Sequence, residues 1–158
     1  HLSYLEGEAV SHLICLDPKA KNVDLIQQGA TESGFVFKTY GADTEYSVDN
    51  LFEFRNIVAG SVKVAVFCHG GLGRTGLFLA SLVVYACVKD GLRVDVEDRL
   101  NTDERKCLAE MEALEEASKE LVGRAVSYVR VNYKNASIES LGQVRLLASY
   151  VKYLKSFG

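Results

Sequence analysis

The stretch FCHGGLGRTG, residues 67–76, sets a cysteine and an arginine at the two ends of a glycine-rich loop. The short β-branched run SVKVAVF, residues 61–67, comes before it and predicts a strand that is covered on both faces. The apolar run GLFLASLVVYACV, residues 76–88, comes after it and predicts a buried helix, because a bilayer-spanning helix needs roughly 20 residues. The loop therefore joins the end of a strand to the start of a helix.

This position suits the loop for binding an anion. Backbone N–H groups at the start of a helix lack partners and lie at the positive end of the helix dipole. Three glycines leave room for those amides to surround a tetrahedral anion: Gly70, Gly71 and Gly73. The guanidinium of Arg74 adds a planar fork that can make two charge-assisted hydrogen bonds. We therefore expect the loop to bind phosphate.

Cys68 lies in the same positive field, at the end of the strand. In such a place the pKa of a thiol can fall from about 8.5 to between about 3.5 and 7.5, which gives a nucleophilic thiolate. Two other interpretations compete: a cysteine that only fills the core, and a nucleotide-binding or packing turn. The G-K-[ST] ending of nucleotide-binding loops is missing, and the spacing C-x5-R-T favours catalysis.

Composition predicts one domain and excludes several classes of protein. The chain has 158 residues, 48% of them hydrophobic, and no linker-like segment divides it, so we expect residues 1–158 to form a single domain. Its net charge of −3 is dispersed, which indicates no nucleic-acid and no membrane partner. The four cysteines lie far apart, without zinc-ligand spacing and without a signal-peptide pattern, so we expect a cytoplasmic protein with no metal.

Hydrophobic periodicity predicts the order of the elements. Strand-like and helix-like segments alternate as βαβαβ up to residue 67, which indicates a mostly parallel sheet flanked by helices. The rest of the chain is predicted to be almost wholly helical, with a break or kink at Gly123.

The segment CHGGLGRTG resembles the signature loop of the cysteine-dependent protein tyrosine phosphatase superfamily. Its GGLGRTG half is most similar to the small archaeal and dual-specificity-like phosphatases. The segments VSHLICL, GAD and AVSYVRVNYKNASIESLGQVRLLASYVKYL resemble the same order of elements over most of the chain. The resemblance implies an α/β fold with a helical C-terminal half, and a single phosphatase catalytic domain that needs no cofactor.

The resemblance also implies a role for each residue of the loop. Cys68 would form a phosphocysteine intermediate, and Thr75 would hydrogen-bond its sulfur so that it leaves more readily. Arg74 would bind the phosphoryl oxygens together with the backbone amides of the loop: His69, Gly70, Gly71, Leu72 and Gly73. A preorganised ring of donors is what phosphoryl transfer requires, since charge spreads over the equatorial oxygens.

Family members carry an aspartate upstream that gives a proton to the leaving group. Asp43 lies at the matching place, 25 residues before Cys68, although Ala42 replaces the usual proline. Glu45 and Asp49 are close enough to compete for the role, because aspartate is also common in turns. We favour Asp43 for its place ahead of the helix VDNLFEF.

Gln143 aligns with a glutamine that orients the hydrolytic water in some relatives. The spacing from Ser140 to Gln143 is also that of a capping box, in which Gln143 would only cap its own helix. Both interpretations stay open.

The sequence departs from the family pattern in three places. Family loops usually begin His-Cys, whereas Phe67 precedes Cys68 here and His69 follows it, so the usual bracing histidine is absent. Residues 92–120 are longer and more charged than the equivalent stretch of compact relatives, and we expect an extra helix there. Few residues precede VSHLICL, and we expect an edge strand of the usual sheet to be absent or supplied differently.

The five-residue arc HGGLG contains no lysine, which argues against a multiply charged phosphoinositide. We therefore expect a phosphorylated protein or peptide as substrate, with phosphotyrosine favoured and phosphoserine or phosphothreonine also accepted. Two other classes compete: a phosphate-binding module without turnover, and a sulfur transferase.

Overall fold

Three parallel strands and six helices make up the part of the chain that the computed structural model describes, which is residues 10–17, 23–40, 46–60, 63–68 and 73–157. The strands are β1 His12–Cys15, β2 Val36–Thr39 and β3 Val64–Phe67. The helices are α1 Val23–Glu32, α2 Val48–Gly60, α3 Gly73–Lys89, α4 Thr102–Ala109, α5 Glu116–Asn132 and α6 Leu141–Lys155.

The predicted βαβαβ order is confirmed, and so is the α/β fold class. The strand order is β2-β1-β3, and both pairings of β1 are parallel. His12 lies opposite Val36 on one side and opposite Val64 on the other. Parallel strands end at the same edge of a sheet, so the residues that follow β1 and β3 come close together there.

Both faces of β3 pack against hydrophobic clusters, as expected for the run 61–67, but the strand is less buried than expected. All four residues of β3 are only half-buried, whereas Leu13, Ile14 and Cys15 of β1 are buried. The strand order explains the difference, because β1 lies between its two neighbours and β3 has one described neighbour. The expectation of a missing edge strand concerns residues 1–9, which lie outside the described residues.

Two hydrophobic clusters pack on the sheet. The larger one combines Ile14 and Leu16 with buried side chains of α2, α3, α5 and α6. The smaller one gathers Leu13, Ala30 and Phe35, and Phe67 packs against it from the end of β3. Phe67 therefore contributes to the smaller cluster, while its neighbour Cys68 packs against the larger one.

Gly123 does not break the helical half, contrary to the expectation. It lies inside α5, which continues through it from Glu116 to Asn132. A Cβ atom at this position would approach the Leu100 side chain to 3.1 Å. The glycine therefore permits the irregular segment 91–100 to lie close against α5.

The charged segment 92–120 contains one additional helix, as expected. This helix, α4, begins after a capping box in which Asn101 and Glu104 each accept a hydrogen bond from the other's backbone N–H. Met111 and Leu114 lie in the turn between α4 and α5, although the chain after the glycine-rich loop was expected to be almost wholly helical. None of the described helices has the length and hydrophobicity that crossing a membrane takes.

Candidate active site

Cys68 lies directly after β3, and α3 begins five residues later at Gly73. The Cys68 Sγ atom is 3.0 Å from Thr75 Oγ1, in the first turn of α3. Thr75 is buried, with 6% of its surface exposed. The hydroxyl can therefore donate a hydrogen bond to a thiolate at a fixed position.

Arg74 lies next to Thr75 and reaches the end of β1. Its Nη1 atom is 3.2 Å from Asp17 Oδ1, and this carboxylate follows β1 at the same edge of the sheet as Cys68. The contact is an ion pair without hydrogen-bond geometry, and within the described residues the buried Nη1 has no hydrogen-bond partner. Arg74 therefore keeps donor capacity for a ligand.

Tyr46 anchors the segment that leads into α2. Its hydroxyl donates to the Leu16 carbonyl, and its ring meets Phe78 edge-on with centroids 5.1 Å apart. Burial raises the pKa of Tyr46 to about 12, so the phenol stays neutral. The side chain also lines a cavity with Arg74. Residue 46 is thus fixed beside the arginine.

Asp43 is three residues from Tyr46, and the other end of its segment is fixed at Tyr40. The Tyr40 N–H donates to the Cys15 carbonyl at 3.2 Å, at the same edge of the sheet. Three residues of chain span at most about 11 Å. Asp43, Ala42 and Glu45 lie outside the described residues, as do four of the loop residues expected to bind phosphate: His69, Gly70, Gly71 and Leu72.

Gln143 occupies the first turn of α6, after the N-cap residue Ser140. Its backbone N–H donates to Ser140 Oγ at 3.2 Å, and its Oε1 accepts from the Glu139 N–H at 2.7 Å. The side chain thus caps the helix one residue before the position that a capping box uses. It also lines the cavity beside Arg74, so capping and contact with a ligand are compatible.

Segment 137–139 packs against the start of α3. A Cβ atom at Gly76 would lie 2.5 Å from Ser137 Cβ, and one at Gly73 would lie 2.8 Å from Glu139 Cδ. Gly76 is therefore required by close approach, whereas the flexible end of the Glu139 side chain could move away from a Cβ atom at Gly73. Ile138, between the two contacts, has a φ of 65°, which is strained for a β-branched residue.

Arg130 holds this strained segment in place. Its Nε donates to the Ser137 carbonyl at 3.0 Å, and its Nη2 donates to the Ile138 carbonyl at 2.9 Å. The guanidinium also forms a bidentate pair with Glu104 at 2.6 and 2.7 Å, and a bond to the Arg99 carbonyl. All five N–H donors of Arg130 are thus bonded. We call the pair of Arg130 and Glu104 the clamp.

The clamp is buried, and its electrostatics favour the charged state. Arg130 is 9% exposed and Glu104 only 3%. Burial alone would raise the pKa of Glu104, but the hydrogen bonds from Arg130 and from the Asn101 N–H, together with the charge of Arg130, bring that pKa below its ordinary value. The carboxylate therefore stays ionised at neutral pH.

Cys15 lies near Cys68 but has a structural environment. Burial raises the pKa of the Cys15 thiol, which donates to the Asp17 carbonyl at 3.2 Å. Among the described residues, no group of three or more His, Cys, Asp or Glu side chains could hold a metal ion.

The sequence analysis missed three residues near the expected site: Asp17, Tyr46 and the Arg130 of the clamp. A signal existed for Asp17, because it follows a predicted strand of a parallel sheet, where ligand sites gather. Tyr46 and Arg130 bond to residues in other parts of the chain, and hydrophobic periodicity does not predict such contacts.

Comparison with known proteins supports the fold. No protein-family model matches the sequence, and no curated protein matches it either. The crystal structure of Tk-PTP in a mutant form matches with a TM-score of 0.59 and 18% sequence identity, over 98% of this chain and 85% of that chain. The crystal structure of Tk-PTP in the active form matches with a TM-score of 0.55 and 16% identity, over 93% and 82% of the two chains. The chain therefore has the fold of a protein tyrosine phosphatase.

Proposed function

We propose that the protein is a protein phosphatase that hydrolyses phosphotyrosine, and also phosphoserine and phosphothreonine, through a phosphocysteine intermediate on Cys68. One observation carries the proposal: Cys68 Sγ lies 3.0 Å from Thr75 Oγ1 at a strand-to-helix junction, beside an arginine with an unbonded nitrogen. The Tk-PTP-like fold supports the same chemistry.

In the first step the Cys68 thiolate attacks phosphorus, and the bond from phosphorus to the tyrosine oxygen breaks. Asp43 gives its proton to that oxygen, so a neutral phenol leaves. Arg74 and the backbone amides of residues 69–73 bind the equatorial oxygens, where charge spreads in the transition state.

In the second step water attacks phosphorus and the sulfur–phosphorus bond breaks. The Asp43 carboxylate, now deprotonated, accepts a proton from the water. The thiolate that leaves is stabilised by a hydrogen bond from Thr75, which is why the 3.0 Å contact matters most here. Gln143 would orient the attacking water from the wall of the cavity.

Contacts of the described residues support Asp43 over Asp49 as the acid. Desolvation, and after it the charge and hydrogen bond of the Asp49 carboxylate, raise the pKa of Tyr153. Asp49 therefore lies beside Tyr153, which is ten residues, or about 15 Å, along α6 from Gln143. Asp43 instead precedes Tyr46, which lines the cavity with Arg74.

We further propose that residues 1–158 act as one catalytic domain. The larger hydrophobic cluster joins β1 to helices from both halves of the chain, which supports a shared core. The cytoplasmic location stays a prediction from the cysteine content.

Hydrolysis of phenyl phosphate, with vanadate as inhibitor, tests the proposal. Cys68→Ser should abolish turnover, because an alcohol does not ionise at neutral pH, while phosphate binding persists. Cys87→Ser, on the half-buried face of α3, is the matched control and should keep wild-type turnover. Substantial activity of Cys68→Ser would refute the mechanism. Vanadate binding by a wild-type protein that hydrolyses no phosphomonoester would favour the phosphate-binding module instead.

The general acid is tested with two leaving groups. A protonated carboxyl matters only when the leaving oxygen is basic, so Asp43→Asn should slow phenyl phosphate hydrolysis by about 10² to 10⁴ and spare an ester of an acidic phenol. Glu45→Gln and Asp49→Asn are the controls. If either shows the leaving-group-dependent defect in place of Asp43→Asn, the acid is assigned to the wrong carboxylate.

A further inference from the structure

A cavity of about 540 Å³ lies beside Arg74. Tyr46 and Leu77 form one wall, and the first two turns of α6 form the other. Cavities of this size hold ligands larger than a single side chain. The cavity therefore has room for more of a substrate than its phosphorylated residue.

Among the described residues, two charged side chains line the cavity, and both are arginines. They are Arg74 and Arg145, and no described carboxylate is part of the lining. The chain as a whole is acidic, with a net charge of −3, so this positive cavity contrasts with the rest of the protein. Two cations, with no carboxylate among the described lining residues, favour an anionic ligand.

Arg145 is available to such a ligand. It is exposed, and among the described residues it has no hydrogen-bond or ion-pair partner. Ser149, one helical turn further along α6, lines the same cavity and can add a hydroxyl donor. The two side chains together offer a charged fork and a hydroxyl to one anionic group.

We propose that Arg145 and Ser149 form a subsite for a second anionic group of a phosphopeptide, either a carboxylate or a second phosphate that flanks the phosphorylated residue. This inference rests on the proposed function, because the first anion is the phosphate bound at Arg74. It gives the site a preference among phosphopeptides for those with acidic flanking residues.

Three phosphotyrosine peptides of one backbone test the subsite: one flanked by glutamates, one flanked by glutamines, and one carrying a second phosphate. The measured quantity is the ratio of kcat/KM between an acidic peptide and the glutamine peptide. The wild type should prefer the acidic peptide about 3- to 10-fold, the range expected for a partly solvated charge-assisted contact. Arg145→Gln should bring the ratio close to one.

Arg124→Gln is the matched control. This change removes the same charge from α5. Arg124 Nη2 lies 3.8 Å from Glu120 Oε2, and Arg124 does not line this cavity. The control should keep the wild-type ratio. Equal loss in both variants would show a general effect of net charge and would overturn the subsite, as would a wild-type ratio of one.

Binding separates failure of the subsite from failure of the proposed function. The Cys68→Ser protein, with and without Arg145→Gln, is titrated with the three peptides and the dissociation constants are compared. If the wild type hydrolyses no phosphopeptide, the proposed function fails, and a preference for acidic peptides that depends on Arg145 would still establish the subsite. A dissociation constant that is the same for acidic and neutral peptides overturns it. A larger gain from the second phosphate than from glutamate assigns phosphate as the second group, and the reverse assigns carboxylate.

Discussion

Two arginines differ in how the fold uses them. Arg74 lies in the first turn of α3, and Arg130 bonds segment 137–139, which packs on the start of α3. All five donors of Arg130 are bonded to carbonyls and to Glu104, and the residue is 9% exposed. Arg74 has one ion pair of 3.2 Å to Asp17, and its buried Nη1 has no hydrogen-bond partner within the described residues. The fold therefore bonds every donor of Arg130, whereas one buried nitrogen of Arg74 makes no hydrogen bond within the described residues.

The difference shows how structure and function are divided at this site. A buried donor without a partner costs about 1–3 kcal/mol, and phosphate bound at Arg74, as we propose, would remove that cost. The clamp has a structural role, because Arg130 bonds the carbonyls of Ser137 and Ile138 and thereby holds segment 137–139 against the start of α3. We expect changes at Arg130 to act on stability and changes at Arg74 to act on turnover.

Breaking the clamp should have the largest effect. Glu104→Gln leaves the Arg130 charge buried without its counter-ion, which should lower the free energy of unfolding by about 3–5 kcal/mol. Urea denaturation of the variant and the wild type measures the difference. A loss below about 1 kcal/mol, the value of a surface pair, would contradict the role given to the clamp.

The same pair predicts a dependence on pH. Because the folded-state pKa of Glu104 is lowered, its contribution is complete above the ordinary glutamate value of roughly 4.3 and is lost as the pH falls through the folded-state pKa. The stability difference between the wild type and Glu104→Gln should therefore be full at pH 7 and shrink in acid. A difference that grows on acidification would reverse the sign and contradict the assignment.

Arg74→Lys should have the next largest effect, and we expect this effect on turnover and not on stability. A point charge cannot reproduce a two-pronged contact to phosphoryl oxygens, so turnover should drop by about 10² to 10³. Arg130→Lys is the matched substitution and should lower stability instead. Turnover of phenyl phosphate and urea denaturation of both variants test whether the two effects separate as the comparison requires.

Gly76→Ala should perturb the contact between the start of α3 and segment 137–139. The added methyl group would meet Ser137, whose carbonyl Arg130 holds, so the free energy of unfolding should fall by about 1–3 kcal/mol. Gly60→Ala at the end of α2 is the control, because nothing lies within 4 Å of the added atom there. Thermal unfolding measures the stability of both variants. If Gly60→Ala loses as much stability as Gly76→Ala, the contact with Ser137 is not the cause.

Asp17→Asn should have the smallest effect. Its carboxylate neutralises part of the Arg74 charge at 3.2 Å and repels an incoming phosphate, so its removal should tighten inhibition by inorganic phosphate about 2- to 5-fold. The inhibition constant of phosphate in the phenyl phosphate assay measures this. Weaker inhibition would instead indicate that Asp17 orients the guanidinium for binding.

The sequence predicted the elements that depend on local pattern. The strands near residues 12–15 and 64–67 and the helix after the glycine-rich loop follow from hydrophobic runs between turns, and they are present. The turn between α4 and α5 was not predicted, because residues 110–115 contain no glycine or proline to mark it. Gly123 was predicted to break or kink a helix. It lies instead inside α5, where the absence of a Cβ atom leaves space for the Leu100 side chain.

The candidate site was predictable to the extent that its residues are neighbours along the chain. Cys68, Arg74 and Thr75 share one loop, so their spacing alone suggested a common role. Asp17 reaches Arg74, and Glu104 reaches Arg130, only once strands and helices have packed. Such pairs depend on the fold and leave no regular spacing in the sequence.

The strand order β2-β1-β3 has a consequence for how the protein is made. The central strand pairs first with a segment 24 residues away, as His12 with Val36, and then with one 52 residues away, as His12 with Val64. Closing the longer loop costs more chain entropy, so we expect the second pairing to form later. During synthesis, β1 and β2 leave the ribosome before β3 does. Cys68 directly follows β3, so the proposed nucleophile reaches its place beside Thr75 only after the longer loop has closed.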